Sequence, residues 1–226
     1  MEQHFNGKTV LVTGAGWGIG AATALLYAAS GAKVIVSDTS RKGGKNTLAK
    51  IKDQKGNAIY IQADVSSQAA CEELIKTTIQ AYGSIDIACN NSAVFCETPH
   101  RADGNIESFD HQTGLNLSSL NNCMQYEIEA MQKRHGGVII NTLSIVGAIR
   151  TASSIRYIET KYGTVTLPYN IRGECPAIHI HTIAPSFIAT ALLKERLGTI
   201  QGVTQLILWL SSDESHRMST VFNDTN

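Results

Sequence analysis

The sequence lacks the features typical of membrane-embedded, secreted or nucleic-acid-binding proteins. Basic and acidic residues number 19 each, so the net charge gives no reason to expect a nucleic acid or an anionic membrane as partner. No apolar run approaches the roughly 18–20 residues that a membrane-spanning helix needs. The first eight residues contain no apolar signal-peptide core. We therefore expect a cytoplasmic protein without a nucleic-acid or membrane partner.

Cysteines are few and odd in number, and no two of them form a Cys-x-x-Cys pair. The five are Cys71, Cys89, Cys96, Cys123 and Cys175. This pattern favours free thiols in a reducing compartment over a disulfide framework or a zinc site. His179 and His181 alternate on a predicted strand, but no third ligand is identifiable, so we predict no metal site.

Apolar runs alternate with helical patterns along the whole chain. We predict strands at 8–13, 33–37, 58–62, 85–89, 138–143, 178–183 and 220–222. Helices are predicted over 19–30, 41–55, 67–82, 106–117, 118–135 and 200–212, with another beginning at 157. The strands are continuously apolar, which is typical of a parallel sheet covered on both faces. Because no linker or repeat divides the chain, residues 1–226 are predicted to form a single α/β domain, a three-layer doubly wound parallel sheet of the Rossmann type.

A glycine-rich turn lies between the first predicted strand and the first predicted helix. It reads Thr13-Gly14-Ala15-Gly16-Trp17-Gly18-Ile19-Gly20. At this place in a parallel sheet, the free N–H groups of the helix N-terminus bind phosphate, and glycines let the backbone approach it closely. The spacing differs from the commoner Gly-x-Gly-x-x-Gly, and no Walker lysine follows. The turn predicts nucleotide binding, with a purely structural glycine turn as the alternative.

Asp38 ends the second predicted strand, eighteen residues after Gly20. A carboxylate there accepts hydrogen bonds from the adenosine ribose hydroxyls and repels a 2′-phosphate. It therefore favours NAD over NADP, although the nearby Arg41 and Lys42 could hold a phosphate. The alternative is an aspartate that caps a helix or turn.

Tyr157 and Lys161 are four residues apart, so on a helix both side chains lie on one face. A lysine ammonium beside a phenol favours the phenolate and lowers the tyrosine pKa, as base catalysis near neutral pH requires. Ser144 precedes Tyr157 by thirteen residues. Together with the glycine turn, this order of residues indicates a proton-transfer site. Taken alone, the pair is compatible with an ordinary amphipathic helix.

Over essentially its whole length, the sequence resembles the short-chain dehydrogenase/reductase family. The motifs that carry the resemblance are the glycine turn, the adenine-contacting Asp64-Val65, Asn90-Asn91-Ser92-Ala93 in place of Asn-Asn-Ala-Gly, and the segment that begins at Pro185. The residues that match the family's catalytic positions are Asn116, Ser144, Tyr157 and Lys161. Those that match its cofactor-binding positions are Thr13, Gly14, Gly16, Trp17, Gly18, Ile19, Gly20, Asp38, Asp64, Val65, Asn90, Asn91, Ser92, Tyr157, Lys161, Pro185, Ser186, Ile188 and Thr190.

The resemblance implies an NAD-dependent oxidoreductase that transfers a hydride between the nicotinamide and a small-molecule secondary alcohol or ketone. Tyr157 would exchange the hydroxyl proton, and Ser144 would hydrogen-bond the substrate oxygen. Lys161 would lower the tyrosine pKa and bind the nicotinamide ribose, and Asn116 would hold a relay water. The resemblance also implies a homo-oligomer, either a dimer or a tetramer. The alternative is a non-catalytic, NAD-binding regulatory protein on the same fold.

Several positions depart from the family pattern. Arg156 and Glu159 place charges beside Tyr157, and Pro168 falls where the family continues a long helix that many members use in a tetramer interface. Only five residues separate Thr190 from Arg196, where relatives carry a substrate lid. Either the lid around 190–196 is truly shortened, or the printed sequence omits a stretch. The family-like residues on both sides of the joint favour omission.

Overall fold

The computed structural model describes residues 4–91, 118–134, 136–142, 175–183, 185 and 199–215. Strands and helices alternate through these ranges, as predicted. In chain order they are β1 (Thr9–Val12), α1 (Gly18–Ala29), β2 (Lys33–Asp38), α2 (Arg41–Asp53), β3 (Asn57–Gln62), α3 (Gln68–Tyr82), β4 (Ile87–Asn90), α4 (Ser119–Gln132), β5 (Gly137–Thr142), β6 (Ile178–Ile183) and α5 (Ile200–Leu210).

The described strands form one parallel sheet in the order β3-β2-β1-β4-β5-β6. From β1 the chain builds the sheet outward in one direction through β2 and β3, and then in the other direction through β4, β5 and β6. The strand order therefore reverses between β1 and β4. In doubly wound sheets, ligands bind in the crevice at the carboxyl ends of the strands where such a reversal occurs.

Successive residues of one strand enter two different cores, because side chains alternate across a sheet. Val10 and Val12 of β1 pack with residues of α1, α2 and α5, whereas Leu11 packs with residues of α3 and α4. All three side chains are 0% exposed. Burial on both faces explains why successive residues of β1 are apolar, and it confirms the predicted three-layer fold.

Local side-chain bonds fix where several helices begin. The hydroxyl of Ser40 accepts the N–H of Gly43 at the start of α2 at 3.1 Å, and that of Ser67 accepts the N–H of Ala70 at the start of α3 at 3.4 Å. The predicted extension of α2 to residue 55 is wrong by two residues. The helix ends at Asp53 because Lys55 adopts a left-handed conformation with φ of 61°.

Several predicted elements lie outside the described residues. They are the helix over 106–117, the helix from 157, the strand at 220–222 and the lid region at 190–196. In the part of the chain that is described, the helices are too short and not apolar enough to cross a bilayer.

Candidate functional site

The glycine turn connects the carboxyl end of β1 to the start of α1. Gly14 and Gly18 have φ of 60° and 57°, a region that side chains disfavour. A Cβ at Gly20 would collide with the carbonyl oxygen of Gly14 and would lie 2.8 Å from Nδ2 of Asn91. The turn therefore packs directly against the first turn of α1, and a side chain at Gly20 would separate them.

The N-terminus of α1 has no side-chain cap. Trp17 occupies the cap position in extended conformation, makes no side-chain cap hydrogen bond, and leaves its ring 47% exposed. The first N–H groups of a helix have no acceptor inside the helix, and here no cap side chain supplies one. An uncapped helix start beside glycines that present bare backbone fits the pyrophosphate of a dinucleotide.

Asp38 lies at the carboxyl end of β2 with its carboxylate next to the glycine turn. Its Oδ2 accepts the N–H of Gly16 and its Oδ1 accepts the N–H of Ser40, both at 2.7 Å. A Cβ on Gly16 would lie 2.7 Å from that Oδ2, so the close contact requires glycine. A carboxylate has about four acceptor positions, so about two remain for ribose hydroxyls. Because Ser40 caps α2, Asp38 is not the cap of that helix, but its bond to the N–H of Ser40 is that of a turn aspartate.

Helix α2 also contacts the glycine turn. Thr47 of α2 donates its hydroxyl to the carbonyl oxygen of Ala15 in the turn at 2.8 Å. Tyr60 of β3 donates its hydroxyl to the carbonyl oxygen of Asp38, at the end of β2, at 3.0 Å. Burial, and secondarily the charge of Asp38, raises the pKa of Tyr60, so its hydroxyl remains a donor. Neither Thr47 nor Tyr60 was predicted from the sequence, because both act on main-chain atoms of distant residues.

The turn after β3 contains Asp64 and Val65, the predicted adenine contacts. Oδ1 of Asp64 accepts the N–H of Ser66 at 3.0 Å and its hydroxyl at 2.7 Å. Val65 is buried, and Asn122 of α4 donates its side-chain N–H to the carbonyl oxygens of Val65 and Ser66 at 3.4 and 3.1 Å. Asn122, also missed from the sequence, therefore fixes this turn.

Asn90 and Asn91, at the end of β4, make contacts in two different places. The N–H of Asn91 donates to Oγ1 of Thr13 at 3.2 Å, and its side chain donates to the carbonyl oxygen of Gly14 at 3.5 Å. These bonds join the ends of β1 and β4 at the crevice. Asn90 is buried and donates to Oε2 of Glu127 at 2.9 Å and to Oδ1 of Asn141 at 3.1 Å.

Glu127 is a buried acid that the sequence analysis did not single out. Its side chain is 0% exposed, and burial raises its pKa to about 7, with the Asn90 hydrogen bond opposing that shift. A signal was present in the sequence. Leu120, Met124 and Met131 follow the helical period on the buried face of α4, and Glu127 falls on the same face.

Most of the predicted cofactor-binding residues that the structure describes thus lie at one edge of the sheet, around the carboxyl ends of β1, β2, β3 and β4. Ile19 packs against the core beneath the turn. Pro185, two residues after β6, is described and half-buried. The remaining predicted site residues lie outside the described ranges and are Ser92, Asn116, Ser144, Tyr157, Lys161, Ser186, Ile188 and Thr190.

The fold and its crevice define a protein of the dinucleotide-binding α/β class. Residues 8–200 match the family model for short chain dehydrogenase. The chain belongs to the short-chain dehydrogenase/reductase family, which confirms the resemblance found in the sequence. It is therefore an oxidoreductase that uses a nicotinamide cofactor and acts on an alcohol or carbonyl group.

Named relatives support an enzyme over the non-catalytic alternative. The chain is 30% identical over 234 residues to a cyclohexanol dehydrogenase of Acinetobacter sp. (strain SE19), covering 95% of this chain and 92% of that protein. It is 39% identical over 216 residues to an oxidoreductase of Thermotoga maritima, covering 92% and 83%. A 7α-hydroxysteroid dehydrogenase solved with NADH and 7-oxo glycochenodeoxycholic acid superposes with a TM-score of 0.87 at 27% identity, covering 95% and 91%.

Proposed function

We propose that the protein is an NAD-preferring dehydrogenase of small alicyclic secondary alcohols or the corresponding ketones. The observation that carries the cofactor choice is the Asp38 carboxylate, 7% exposed and held beside the glycine turn by the N–H groups of Gly16 and Ser40. Support for the substrate class comes from relatives whose names include cyclohexanol, a dichlorocyclohexadiene diol and a hydroxysteroid. Each of these three compounds carries its hydroxyl group on a ring.

The charge at Asp38 discriminates between the two nicotinamide cofactors. NAD offers ribose hydroxyls that donate to the free acceptor positions of the carboxylate, whereas NADP would place a phosphate against it. Arg41 and Lys42 open α2, and both are exposed. Solvent screens their attraction for a phosphate more strongly than it screens the repulsion from a nearly buried carboxylate.

Removing the charge at Asp38 should narrow the preference for NAD. We expect the unaltered protein to bind NADH at least about tenfold more tightly than NADPH, a difference of about 1.4 kcal/mol. Asp38→Ala should bring the two dissociation constants closer together. The exposed Asp53, at the far end of α2, provides a matched control as Asp53→Ala, which should leave the ratio unchanged. Calorimetry that shows tighter NADPH binding by the unaltered protein would refute the assignment.

The catalytic assignment rests on sequence positions. The nicotinamide cofactor accepts or supplies the hydride when it is bound. Tyr157 exchanges the proton of the substrate hydroxyl, and Ser144 hydrogen-bonds the same oxygen, which stabilises charge that develops there. Lys161 favours the phenolate of Tyr157 and binds the nicotinamide ribose, and Asn116 positions a water through which protons reach solvent.

The substrate class is tested with a panel of alcohols oxidised in the presence of NAD. Cyclohexanol and larger ring alcohols should give a higher kcat/KM than linear primary alcohols of equal carbon number. Relatives named 3-oxoacyl-[acyl-carrier-protein] reductase make a 3-oxoacyl thioester the most informative competitor. A higher kcat/KM for its reduction than for any ring ketone would overturn the alicyclic assignment and leave the oxidoreductase assignment intact.

We infer one domain over residues 1–226 with a lid around 190–196 that is short in the printed sequence. The alignment with the cyclohexanol dehydrogenase extends over 234 positions, more than the 226 residues of the chain, so the relative has residues without a counterpart here. The family-like flanks favour omission of a stretch over its loss. A peptide map of protein from its natural source distinguishes the two explanations, because true loss leaves Glu195 joined directly to Arg196 and omission places further residues between them.

We also infer a cytoplasmic homo-oligomer. Cys71 and Cys123 are buried free thiols that are hydrogen-bonded to each other with their sulfur atoms 3.7 Å apart, which supports a reducing compartment. Leu206 and Trp209 of α5 are 44% and 39% exposed, an apolar pair that a second copy of the chain would cover. Light scattering on the purified protein measures whether it is a dimer or a tetramer.

A further inference from the structure

The buried Glu127 joins helix α4 to two strands. Its Oε2 accepts a hydrogen bond from Nδ2 of Asn90, which also donates to Oδ1 of Asn141. Asn90 and Asn141 are register partners at the carboxyl ends of β4 and β5. The side chains of Asn141 and Glu127 are 1% and 0% exposed. The network therefore lies beneath the sheet, directly below the edge where the crevice opens.

Two oxygen atoms of this network find no hydrogen-bond partner among the described residues, namely Oε1 of Glu127 and Oδ1 of Asn90. Both accept hydrogen bonds when Glu127 is ionised, and neither can then satisfy the other. Buried acceptors without donors are destabilising, and a buried unpaired carboxylate is more so. A single proton on Glu127 would supply the missing donor for Asn90 and remove the charge.

The described residues around Glu127 offer no compensating positive charge. The titratable groups that interact with it are the thiols of Cys89 in β4 and Cys123 in α4, and the pKa of each is raised. Within the described ranges, no lysine, arginine or histidine contributes to the pKa of Glu127. As far as the described residues go, neutralisation of Glu127 comes from protonation and not from an ion pair.

We propose that Glu127 is a protonated positioning residue whose carboxylic acid and the Asn90 amide form a doubly hydrogen-bonded pair. The O–H on Oε1 donates to Oδ1 of Asn90, while Nδ2 of Asn90 donates to Oε2. The proton comes from solvent, so at neutral pH the folded chain binds more protons at this position than the unfolded chain does. Burial raises the pKa of Glu127 to about 7, and a hydrogen bond donated by the protonated Oε1 favours the neutral acid in addition.

The pair acts on the crevice through the next residue of the chain. Asn91 follows Asn90 directly, and its hydrogen bonds to Thr13 and Gly14 anchor the glycine turn to β4. When Glu127 ionises, Oδ1 of Asn90 loses the donor that the acid supplied, and the end of β4 is held less firmly. The inference rests on the proposed cofactor site for this effect, whereas the protonation state of Glu127 does not depend on it.

The first test measures cofactor binding against pH. NADH affinity of the unaltered protein, followed by fluorescence between about pH 6 and pH 9, should fall by about tenfold as Glu127 loses its proton. Glu127→Gln should keep the low-pH affinity and remove this fall, because the amide N–H donates to Asn90 at every pH. The matched control is Glu129→Gln, which removes an exposed acid of the same helix that pairs with Lys133. This control should retain the pH profile of the unaltered protein.

The second test observes the proton itself. Infrared spectra at neutral pH should show a carboxylic acid C=O band in the unaltered protein that Glu127→Gln lacks and Glu129→Gln retains. Absence of that band overturns the proposal. A band accompanied by identical pH profiles in the unaltered protein and Glu127→Gln overturns the link to the crevice. If no variant binds NADH at any pH, the proposed cofactor site fails, while the band still reports on Glu127.

Discussion

Replacement of Tyr157 by phenylalanine should lower turnover by about 10²–10⁴-fold, the usual contribution of a positioned acid or base. NADH affinity should stay nearly unchanged, because the substitution removes only the transferable proton and its oxygen. Steady-state kinetics measures the first effect, and fluorescence titration of NADH measures the second. Lys161→Ala should lower both turnover and NADH affinity, since the role proposed for Lys161 includes both the phenol and the nicotinamide ribose.

Tyr82→Phe is a matched control for this result. The hydroxyl of Tyr82 bonds to Oδ1 of Asn57 at 2.8 Å on the protein surface, away from the crevice. The variant loses the same atom from another tyrosine and should retain full turnover. If Tyr157→Phe retains most of its activity, another group is the acid/base and the catalytic assignment is wrong.

Replacement of Gly20 by alanine should damage both stability and cofactor binding. The new Cβ would collide with the carbonyl oxygen of Gly14, a main-chain atom that cannot rotate away. Overpacking of this kind usually costs about 1–3 kcal/mol in the free energy of unfolding. NADH affinity should fall by more than about tenfold, a change of about 1.4 kcal/mol, because the turn must move away from the helix N-terminus. Denaturant unfolding and NADH titration measure the two effects.

Gly202→Ala is the matched control for Gly20→Ala. It adds the same methyl group to a helix at a position where no main-chain atom is in the way. Gly202 lies in α5, and the nearest atom to a Cβ there would be Oγ1 of Thr199 at 3.3 Å, the end of a side chain that can adjust. Alanine in a helix is favoured over glycine by up to about 1 kcal/mol, so this variant should be at least as stable as the unaltered protein. Unchanged NADH binding by Gly20→Ala would contradict the proposed role of the turn.

The pH dependence of stability provides a further check on Glu127. The pKa of this acid is raised by folding from 4.5 to about 7, so its stabilising contribution is complete below about pH 4.5 and is lost as pH rises to about 7. The loss amounts to about 3 kcal/mol. Glu127→Gln should therefore gain stability relative to the unaltered protein over this range in denaturant unfolding. If the free energy of unfolding depends on pH equally in the two proteins, Glu127 is not a buried acid with a raised pKa.

Local sequence signals predicted the fold where the structure depends on neighbouring residues. The runs around Val10 and Val34 are apolar at every position because both faces of the sheet are covered, and that pattern is visible in the sequence. Ser40 and Ser67 directly precede α2 and α3, where helix caps are expected. Strand order was not predicted, because which strands pair depends on contacts between distant parts of the chain.

The site was predictable where it follows a motif and not where it follows tertiary packing. The glycine turn and Asp38 were predicted from spacing along the chain, and the structure places them in contact. Thr47, Asn122 and Glu127 were not found, since each acts on a residue at least 32 positions away. Asn90 and Asn91 contact different residues because successive side chains of a strand point to opposite faces of the sheet. This difference could have been predicted from the sequence.

The central claim is that this chain transfers a hydride between a ring carbinol and NAD. The most direct measurement incubates the protein with NAD and cyclohexanol deuterated at the carbinol carbon, and then determines the mass of the NADH formed. The account predicts NADH that carries one deuterium, and far less of it from Tyr157→Phe. Tight NADH binding with no labelled NADH from cyclohexanol or any other deuterated alcohol would contradict the account and would favour a non-catalytic NAD-binding protein.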